Sequence, residues 1–365
     1  MHSADTANRK TAGPWVDIDL TALCENFAML RAAAPSAETT AVVKCDAYGL
    51  GLAPVALALA TREQCRTFFV AYPEEGVQLR ETLGDVVPDA TIYVFNGPLP
   101  DTIPVFETAS LTPVINSLEQ ARDWATQNPS APCAVHIDTG MNRLGAPGAD
   151  ASALAALTGL NVEMVMSHLA CGSDAMNVMN ATQRDAFIET AKLFPNAKRS
   201  FAASAGVLMD ASYHFDLTRP GIALYGGTPF DVDDARIKPV ASLNAPVVQI
   251  RRLSPGETVG YGATFTATRP TTIATVALGY GDGFLTAGSN RATAAIGGER
   301  AKIAGRVSMD LIGLDVTDFK KPPEIGAIAE FFGRSVSLFE AATACATAPY
   351  ELLTGLGGRV DRRYV

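Results

Sequence analysis

The chain has 365 residues and a formal net charge of −9, and 48% of its residues are hydrophobic and 18% charged. The length favours two domains, and the composition is typical of globular rather than disordered proteins. The negative charge argues against nucleic acid and anionic membranes as partners, and no apolar run approaches the ~20 residues that span a bilayer.

The chain begins with a polar segment, residues 1–14, that lacks an apolar signal core. We therefore expect a loose N-terminus and a cytoplasmic protein. A short strand is predicted from Trp15, and Thr21 is placed to cap a helix that runs to about Ala34. The six cysteines form no CxxC pair and the four histidines show no metal-ligand spacing, so we expect reduced thiols and no metal.

Short apolar stretches then recur along the chain and are predicted as strands: Ala41–Lys44, Thr67–Ala71, Thr91–Phe95, Leu111–Ile115, Cys133–Asp138, Val162–Ser167, Phe201–Ser204 and Gly221–Leu224. Amphipathic helical patterns lie between most of them, over Glu74–Leu83, Ser117–Gln127, Ala151–Leu157 and Asn180–Leu193. Apolar strands that alternate with helices predict an α/β fold, a (β/α)8 TIM-type barrel over residues 15–235. Such a barrel keeps its chemistry at the carboxyl ends of its strands.

The pattern changes near residue 236, where helical periodicity fades. The pieces that follow are predicted as strands: Ala245–Leu253, Thr271–Leu278, Arg291–Ile296, Ala301–Val307, Leu311–Val316 and Ile328–Phe332. They predict a C-terminal, mainly β domain over residues 236–365, with a late helix from about Phe339 to Ala344. The strand at Trp15 is open to pairing with this domain rather than with the barrel.

Several polar side chains fall at or just past the ends of predicted barrel strands. Lys44 ends the first strand and is followed by Tyr48 in a glycine-bearing turn, although a lysine there is also compatible with a plain surface charge. Arg143 lies in a loop after a strand, where a guanidinium can hold a carboxylate or phenolate, or form a structural pair with an aspartate. His168 and Tyr225 occupy comparable positions.

The segment RPGIALYGG predicts an anion site. Gly221 permits close approach of backbone N–H groups to an anion, and Ser204, one strand earlier, supplies a hydroxyl for the same oxygens. Arg219 is placed to point along the body of a bound ligand, or to be a structural arginine beneath the barrel. In the β-rich region Tyr261 lies in a glycine-flanked turn. Its position is compatible with a base, which would need a cationic environment, and equally with a tyrosine that packs at a domain contact.

Eight segments resemble, in order, the motifs of alanine racemases, which are fold-type III pyridoxal-phosphate enzymes: AVVKCDAYGLG, HIDTGMNRLG, SHLACGSD, RPGIALYGG, VGYGATF, GYGDGF, GRVSMD and YELLTGLGGRV. The match runs from about Asp17 to Tyr364. The resemblance implies a pyridoxal 5'-phosphate cofactor and a homodimer with shared active sites. It also implies interconversion of L- and D-alanine, which supplies D-alanine for peptidoglycan.

The resemblance further implies roles for individual residues. Lys44 would hold the cofactor as a Schiff base and act as one of two bases. The second base would be Tyr261 of the other subunit, since a racemase removes a proton from one face of Cα and returns one to the other. The residues implied to bind the cofactor are Lys44, Tyr48, His168, Ser204, Arg219, Gly221, Ile222 and Tyr225. Those implied to bind the substrate are Arg143, Tyr280 and Met309.

Three positions depart from the family pattern. His136 stands where many members carry a carbamylated lysine that orients the loop arginine, and Leu50 replaces a common histidine. Gly358 stands where many members have a tyrosine that narrows the pocket, so selectivity between alanine and serine or larger amino acids is open.

Other members of the fold type are alternatives. A serine or broader-specificity racemase is one. A pyridoxal-phosphate homeostasis protein is a barrel without the β domain, which this chain has. Fold-type III decarboxylases use a cysteine-containing loop from the partner; Cys345 lies near the corresponding region, but without their surrounding motif. A non-catalytic descendant would not be expected to keep both Lys44 and Tyr261.

Overall fold

The computed structural model describes residues 12–365, so most of the predicted loose segment 1–14 lies outside the described residues. The chain divides into two compact units. The barrel unit comprises Leu23–Leu224 and Thr228–Arg236. The β unit comprises the described residues up to Ala22, together with Tyr225–Gly227 and Ile237–Val365.

A closed parallel barrel forms the barrel unit. Its first strand has two pieces: Glu38–Thr39 pairs with Leu217–Arg219, and Ala41–Val42 pairs with Thr67–Val70. From there the sheet passes in chain order through Thr67–Val70, Thr91–Val94, Thr112–Ile115, Pro132–Asp138, Asn161–Met166, Lys198–Ala203 and Leu217–Arg219. All these pairings are parallel, so the carboxyl ends of the strands meet at one end of the barrel. The predicted TIM-type barrel is confirmed.

Helices alternate with these strands: Leu20–Ala33, Leu52–Arg62, Pro73–Leu83, Ile103–Thr108, Leu118–Gln127, Ala151–Ala155, Val178–Ala191 and Ser204–Met209. The first helix is capped by Asp19, whose Oδ1 accepts the N–H groups of Thr21 and Ala22 at 3.0 and 2.9 Å. The predicted cap, Thr21, is therefore wrong, because a carboxylate two residues earlier already takes the free amides of the first turn.

The prediction of a strand at Gly221–Leu224 is also wrong. The eighth strand is Leu217–Arg219, and Ile222–Tyr225 forms a 3-10 turn instead. Pro220 has no N–H to continue the ladder, and the N–H groups of Gly221 and Ala223 donate to Ser204 Oγ at 2.9 and 3.3 Å. These amides therefore point at a side chain rather than at a neighbouring strand.

The first strand also ends earlier than predicted, at Val42. Lys44–Tyr48 then forms a turn of left-handed helix, in which Cys45, Asp46 and Ala47 have φ of 55, 52 and 52° and ψ of 52, 49 and 53°. Tyr48 follows with φ of 58°. Left-handed backbone is rare for residues with a Cβ, so the packing around the turn must hold it.

An antiparallel sheet forms the β unit. Its strands run in the order Thr271–Val276, Ile312–Asp315, Glu299–Ile303, Thr293–Ile296, Ile328–Phe332, Ala241–Leu253, Trp15–Ile18 and Asp361–Tyr364. The sheet closes on itself because Ala241–Leu253 also pairs with Thr271–Val276. Trp15–Ile18 pairs with Ala241–Leu253 and, in parallel, with Asp361–Tyr364. The prediction that the C-terminal part of the chain has a mainly β fold is confirmed.

Three elements of the β unit complete its description. A hairpin joins Thr258–Val259 to Phe265–Thr266, and two helices span Leu338–Ala344 and Pro349–Thr354. The second of these helices and the strand Asp361–Tyr364 were not predicted from the sequence.

The six cysteines all carry free thiols. Within residues 12–365 no three metal-binding side chains come together in a group. No helix in that range is both long enough and apolar enough to cross a membrane.

Candidate active site

The predicted site residues fall in both units. Eight of them lie at or beyond the carboxyl ends of parallel strands in the barrel unit: Lys44, Tyr48, Arg143, His168, Ser204, Arg219, Gly221 and Ile222. The other four belong to the β unit: Tyr225, Tyr261, Tyr280 and Met309.

Hydroxyl and amide groups meet beyond the seventh and eighth strands. Ser204 is buried, and its Oγ accepts the N–H groups of Gly221 and Ala223. Tyr48 comes so close to Gly221 that a Cβ at residue 221 would lie 2.2 Å from the tyrosine Oη. Two hydroxyls beside the N–H groups of Gly221 and Ala223, at a glycine where no Cβ would fit, make a polar cradle of the kind that binds phosphate.

Arg219 is an almost fully buried cation, with 2% of its surface exposed. Its Nη1 donates to Ser200 Oγ at 2.5 Å and its Nη2 to the Ser167 carbonyl at 2.6 Å. Burial lowers the pKa of Arg219 to about 9. Among residues 12–365 no carboxylate pairs with it, so its remaining N–H donors are available to an acceptor on a bound ligand.

Lys44 is partly buried at the same end of the barrel. Its Nζ lies 5.6 Å from the centre of the Phe95 ring. Burial lowers the pKa of Lys44, the Arg143 guanidinium lowers it further, and the Glu75 carboxylate opposes both. A lowered pKa increases the fraction of neutral amine, which is the form that attacks a carbonyl carbon or accepts a proton.

Two histidines near these cations are held neutral. Burial lowers the pKa of His168 to about 3, and Arg219, His136, Arg143 and Lys44 lower it further. Burial likewise lowers the pKa of His136 to about 4, with help from Arg219 and Arg143. The positive charge at this end of the barrel therefore resides on the lysine and the two arginines, which suits an anionic ligand.

The tautomer of His136 is fixed by Asn116. The Nδ2 of Asn116 donates to the carbonyls of Phe95 and Val114 at 2.9 and 2.8 Å. Its Oδ1 is therefore the acceptor for His136 Nδ1, which lies 3.0 Å away and carries the proton. His136 thus presents an unprotonated Nε2 at the position where the resemblance expects a lysine.

We expect His136 to make the protein less stable in acid. The unfolded chain binds a proton on this imidazole near pH 6.5, whereas the folded chain keeps it neutral down to about pH 4. Stability is therefore fully present above about pH 6.5 and falls by up to about 3 kcal/mol as the pH drops to about 4.

Urea unfolding of the wild type and of His136→Gln between pH 4 and 7 measures this contribution. The variant should show a shallower decline in the free energy of unfolding, with the remaining slope including that from His168. An identical decline in both proteins would contradict the assignment.

The β unit presents its predicted site residues on surface turns. The side chain of Tyr261 is 74% exposed, between Gly260 and Gly262, which both have φ of 72°. Tyr280 and Met309 are 46% and 53% exposed. Their turns are joined, because Tyr280 N donates to the Ser308 carbonyl and Gly281 N to the Met309 carbonyl, each at 2.9 Å. Tyr225, by contrast, is fully buried.

Sequence reasoning assigned no role to Arg359, which clamps the same two turns. Its Nε donates to Asp282 Oδ1 at 3.0 Å and its Nη1 to Asp310 Oδ1 at 2.8 Å. Asp282 is buried, and its other oxygen accepts the Gly279 N–H at 2.9 Å. In the sequence Arg359 is only part of a basic C-terminal end. Its role could not be predicted because its partners lie 77 and 49 residues away along the chain.

Comparison with known proteins indicates the same family as the eight motifs. The family models for the N-terminal and C-terminal domains of alanine racemase match residues 18–229 and 240–364. The alanine racemase of Jannaschia sp. (strain CCS1) is 44% identical over 345 residues, which cover 94% of this chain and 97% of that protein. That of Methylobacterium nodulans is 41% identical over 363 residues, covering 97% and 96%.

A solved structure supports the same assignment. The crystal structure of alanine racemase from Bartonella henselae, with covalently bound pyridoxal phosphate, matches with a TM-score of 0.91 and 36% identity. The match covers 97% of this chain and 100% of that one. From its motifs, its fold and these matches, the chain belongs to the alanine racemase family.

Proposed function

We propose that this protein interconverts L- and D-alanine with pyridoxal 5'-phosphate as its cofactor. The observation that carries the proposal is the arrangement at the end of the barrel. A phosphate-type cradle of Tyr48, Ser204 and Gly221 shares that end with a lysine, Lys44, whose pKa is lowered. Family membership over nearly the whole chain supports the same reaction.

The residues present fit this cofactor. The cradle would offer hydrogen-bond donors to the phosphate. Arg219 would donate a buried N–H to the ring nitrogen, which is a hydrogen-bond acceptor. Because an arginine does not give up its proton readily, it would bind this nitrogen without protonating it. When bound, pyridoxal phosphate withdraws electrons from the bonds at the Cα of an amino acid and so makes its proton removable.

The proposed roles of the side chains follow from their chemistry. In its neutral form Lys44 accepts the Cα proton on one face, and Tyr261 serves the other face. Arg143 is an exposed guanidinium without a hydrogen-bonding partner among residues 12–365, and we assign it to the substrate carboxylate. Tyr280 and the Met309 amide would bind the substrate beside Tyr261.

We also propose that the protein is a cytoplasmic homodimer with shared sites, whose D-alanine supplies peptidoglycan. Support for the dimer comes from the exposed side chains of the β unit: Tyr261, Tyr280, Met309 and Leu311 are 74, 46, 53 and 44% exposed. Apolar and aromatic side chains clustered on a surface are typical of an interface. The barrel of a partner subunit, packed on this surface, would give Tyr261 the cationic surroundings that it needs to act as a base.

The reaction is tested by adding L-alanine in D2O to protein loaded with pyridoxal phosphate. Deuterium should enter Cα, and D-alanine should appear on chiral chromatography. Protein that holds the cofactor but neither exchanges the Cα proton nor forms D-alanine would refute the proposal.

A serine or broader-specificity racemase is the second candidate. It is favoured by Gly358, which stands where many members of the family have a tyrosine that narrows the pocket, and an added Cβ there would meet no atom within 4 Å. The same experiment with L-serine separates the two functions, because faster exchange on serine than on alanine would change the substrate and leave the mechanism intact.

A further inference from the structure

The left-handed turn after Lys44 is the most unusual backbone in the barrel unit. Cys45, Asp46, Ala47 and Tyr48 all have φ between 52 and 58°. None of them is glycine, and each left-handed residue with a Cβ costs roughly 1 kcal/mol or more. The surroundings must therefore supply interactions that the turn would lose in a relaxed conformation.

Some of those interactions lie within the turn and its continuation. The N–H of Ala47 donates to the Val43 carbonyl at 2.9 Å, and the N–H of Gly49 to the Cys45 carbonyl at 2.8 Å. The carboxylate of Asp46 accepts the N–H of Leu52, the first residue of the next helix, at 2.6 Å. These bonds are local and connect the turn only to its own flanks.

Glu75, on the helix Pro73–Leu83, reaches the turn from another element. Glu75 Oε1 accepts the Cys45 N–H at 2.6 Å. Its Oε2 accepts the N–H groups of Ala71 and Tyr72 at 2.7 and 3.2 Å. Ala71 and Tyr72 lie between the second barrel strand and the helix Pro73–Leu83. A single half-buried carboxylate therefore joins the ends of two adjacent strands, and both of its oxygens are occupied.

The conformation of the turn decides where two site residues lie. Lys44 begins the turn, and Tyr48, at its end, brings its Oη against Gly221 in the cradle. If the Cys45 amide were released, the turn could relax towards ordinary φ values. Tyr48 would then leave Gly221, and the amine of Lys44 would lose its fixed direction.

We propose that Glu75 is a positioning residue, which clamps the left-handed turn through the Cys45 amide and so places Lys44 and Tyr48 for cofactor binding. The inference rests on the proposed function, since it names what holds the cofactor lysine in place. Glu75 itself touches neither cofactor nor substrate in this assignment.

Four variants test the proposal. Glu75→Ala removes the clamp. Glu74→Ala is the matched control, because Glu74 is an exposed carboxylate in the same first helical turn. Glu75→Ala combined with Cys45→Gly removes the clamp but makes positive φ free of steric cost at residue 45. Glu75→Leu keeps much of the side-chain volume but offers no oxygen to the Cys45 N–H, and it replaces the alanine variant if that variant does not fold.

Two readouts separate positioning from stability. The affinity of the apoprotein for pyridoxal phosphate is measured by absorbance titration. The rate at which pyridoxal phosphate and borohydride label Lys44 is followed by mass spectrometry of its peptide. Glu75 also caps the helix Pro73–Leu83 through the Tyr72 N–H, and thermal unfolding reports the loss of this cap separately.

We expect Glu75→Ala to weaken cofactor affinity about tenfold or more and to slow the labelling of Lys44 by a similar factor. Glu74→Ala should match the wild type in both. Adding Cys45→Gly should recover most of the affinity while leaving the unfolding temperature lowered, because glycine eases the turn but does not cap the helix.

Glu75→Ala or Glu75→Leu with a lowered unfolding temperature but wild-type affinity and labelling would overturn the proposal, since Glu75 would then only stabilise the start of the helix Pro73–Leu83. If Glu75→Ala/Cys45→Gly bound pyridoxal phosphate no more tightly than Glu75→Ala, Glu75 would not act through the left-handed turn, and that step of the proposal would be overturned. Failure of the proposed function is distinguishable, because the wild type itself would then not bind pyridoxal phosphate at Lys44.

Discussion

Lys44→Ala is expected to lower the rate of alanine racemisation by about 10⁴-fold or more. The substitution removes both the amine that attaches the cofactor and one of the two groups that move the Cα proton, and either loss alone is large. The cradle of Tyr48, Ser204 and Gly221 is untouched, so the variant should still bind pyridoxal phosphate without a covalent bond. Chiral chromatography measures the rate, and dialysis with absorbance measures retention of the cofactor.

Two further variants control this experiment. Lys44→Arg keeps the positive charge but offers no amine that attacks a carbonyl carbon, so it should be as inactive as the alanine variant. Lys192→Ala removes an exposed lysine that pairs with Glu189, and it should behave as the wild type. Activity in Lys44→Arg above about one hundredth of the wild-type rate would contradict the role of Lys44.

The placement of chemistry at strand ends could be predicted because it depends on patterns local in the sequence. Apolar strands alternating with helices determine a parallel barrel, and in a parallel barrel residues such as Lys44 and Arg219 reach the same end. The anion cradle was predicted for the same reason, although Gly221 was assigned to a strand. Its amides bind Ser204 Oγ, and that contact joins residues 17 apart in the chain.

What could not be predicted depends on side chains that meet across the fold. Glu75 lies 30 residues from Cys45, and no motif connects the two. The left-handed turn was missed because the usual signal for positive φ is glycine, whereas this turn has local hydrogen bonds and one from Glu75 on another element. The bond between Asn116 and His136, 20 residues apart, likewise decides a tautomer that His136 alone cannot reveal.

Mixing inactive Lys44→Ala and Tyr261→Phe proteins should restore activity if each site takes its lysine from one subunit and its tyrosine from the other. In a mixed dimer one site then combines the intact Lys44 with the intact Tyr261, while the second site lacks both. If equal amounts exchange subunits at random, half of the dimers are mixed, and about a quarter of all sites are complete. If both residues came from one chain, no combination would contain a complete site.

A second mixture makes the result decisive. Wild type is mixed with the double variant Lys44→Ala/Tyr261→Phe under the same conditions of exchange. With shared sites both sites of every mixed dimer are defective, so activity should fall to about half of that of the wild type present. With sites built from one chain, the wild-type subunits would keep all their activity. Recovery near a quarter in the first mixture and loss near half in the second therefore assign Tyr261 to the partner's barrel, whereas no recovery and no loss would show that each chain uses its own tyrosine.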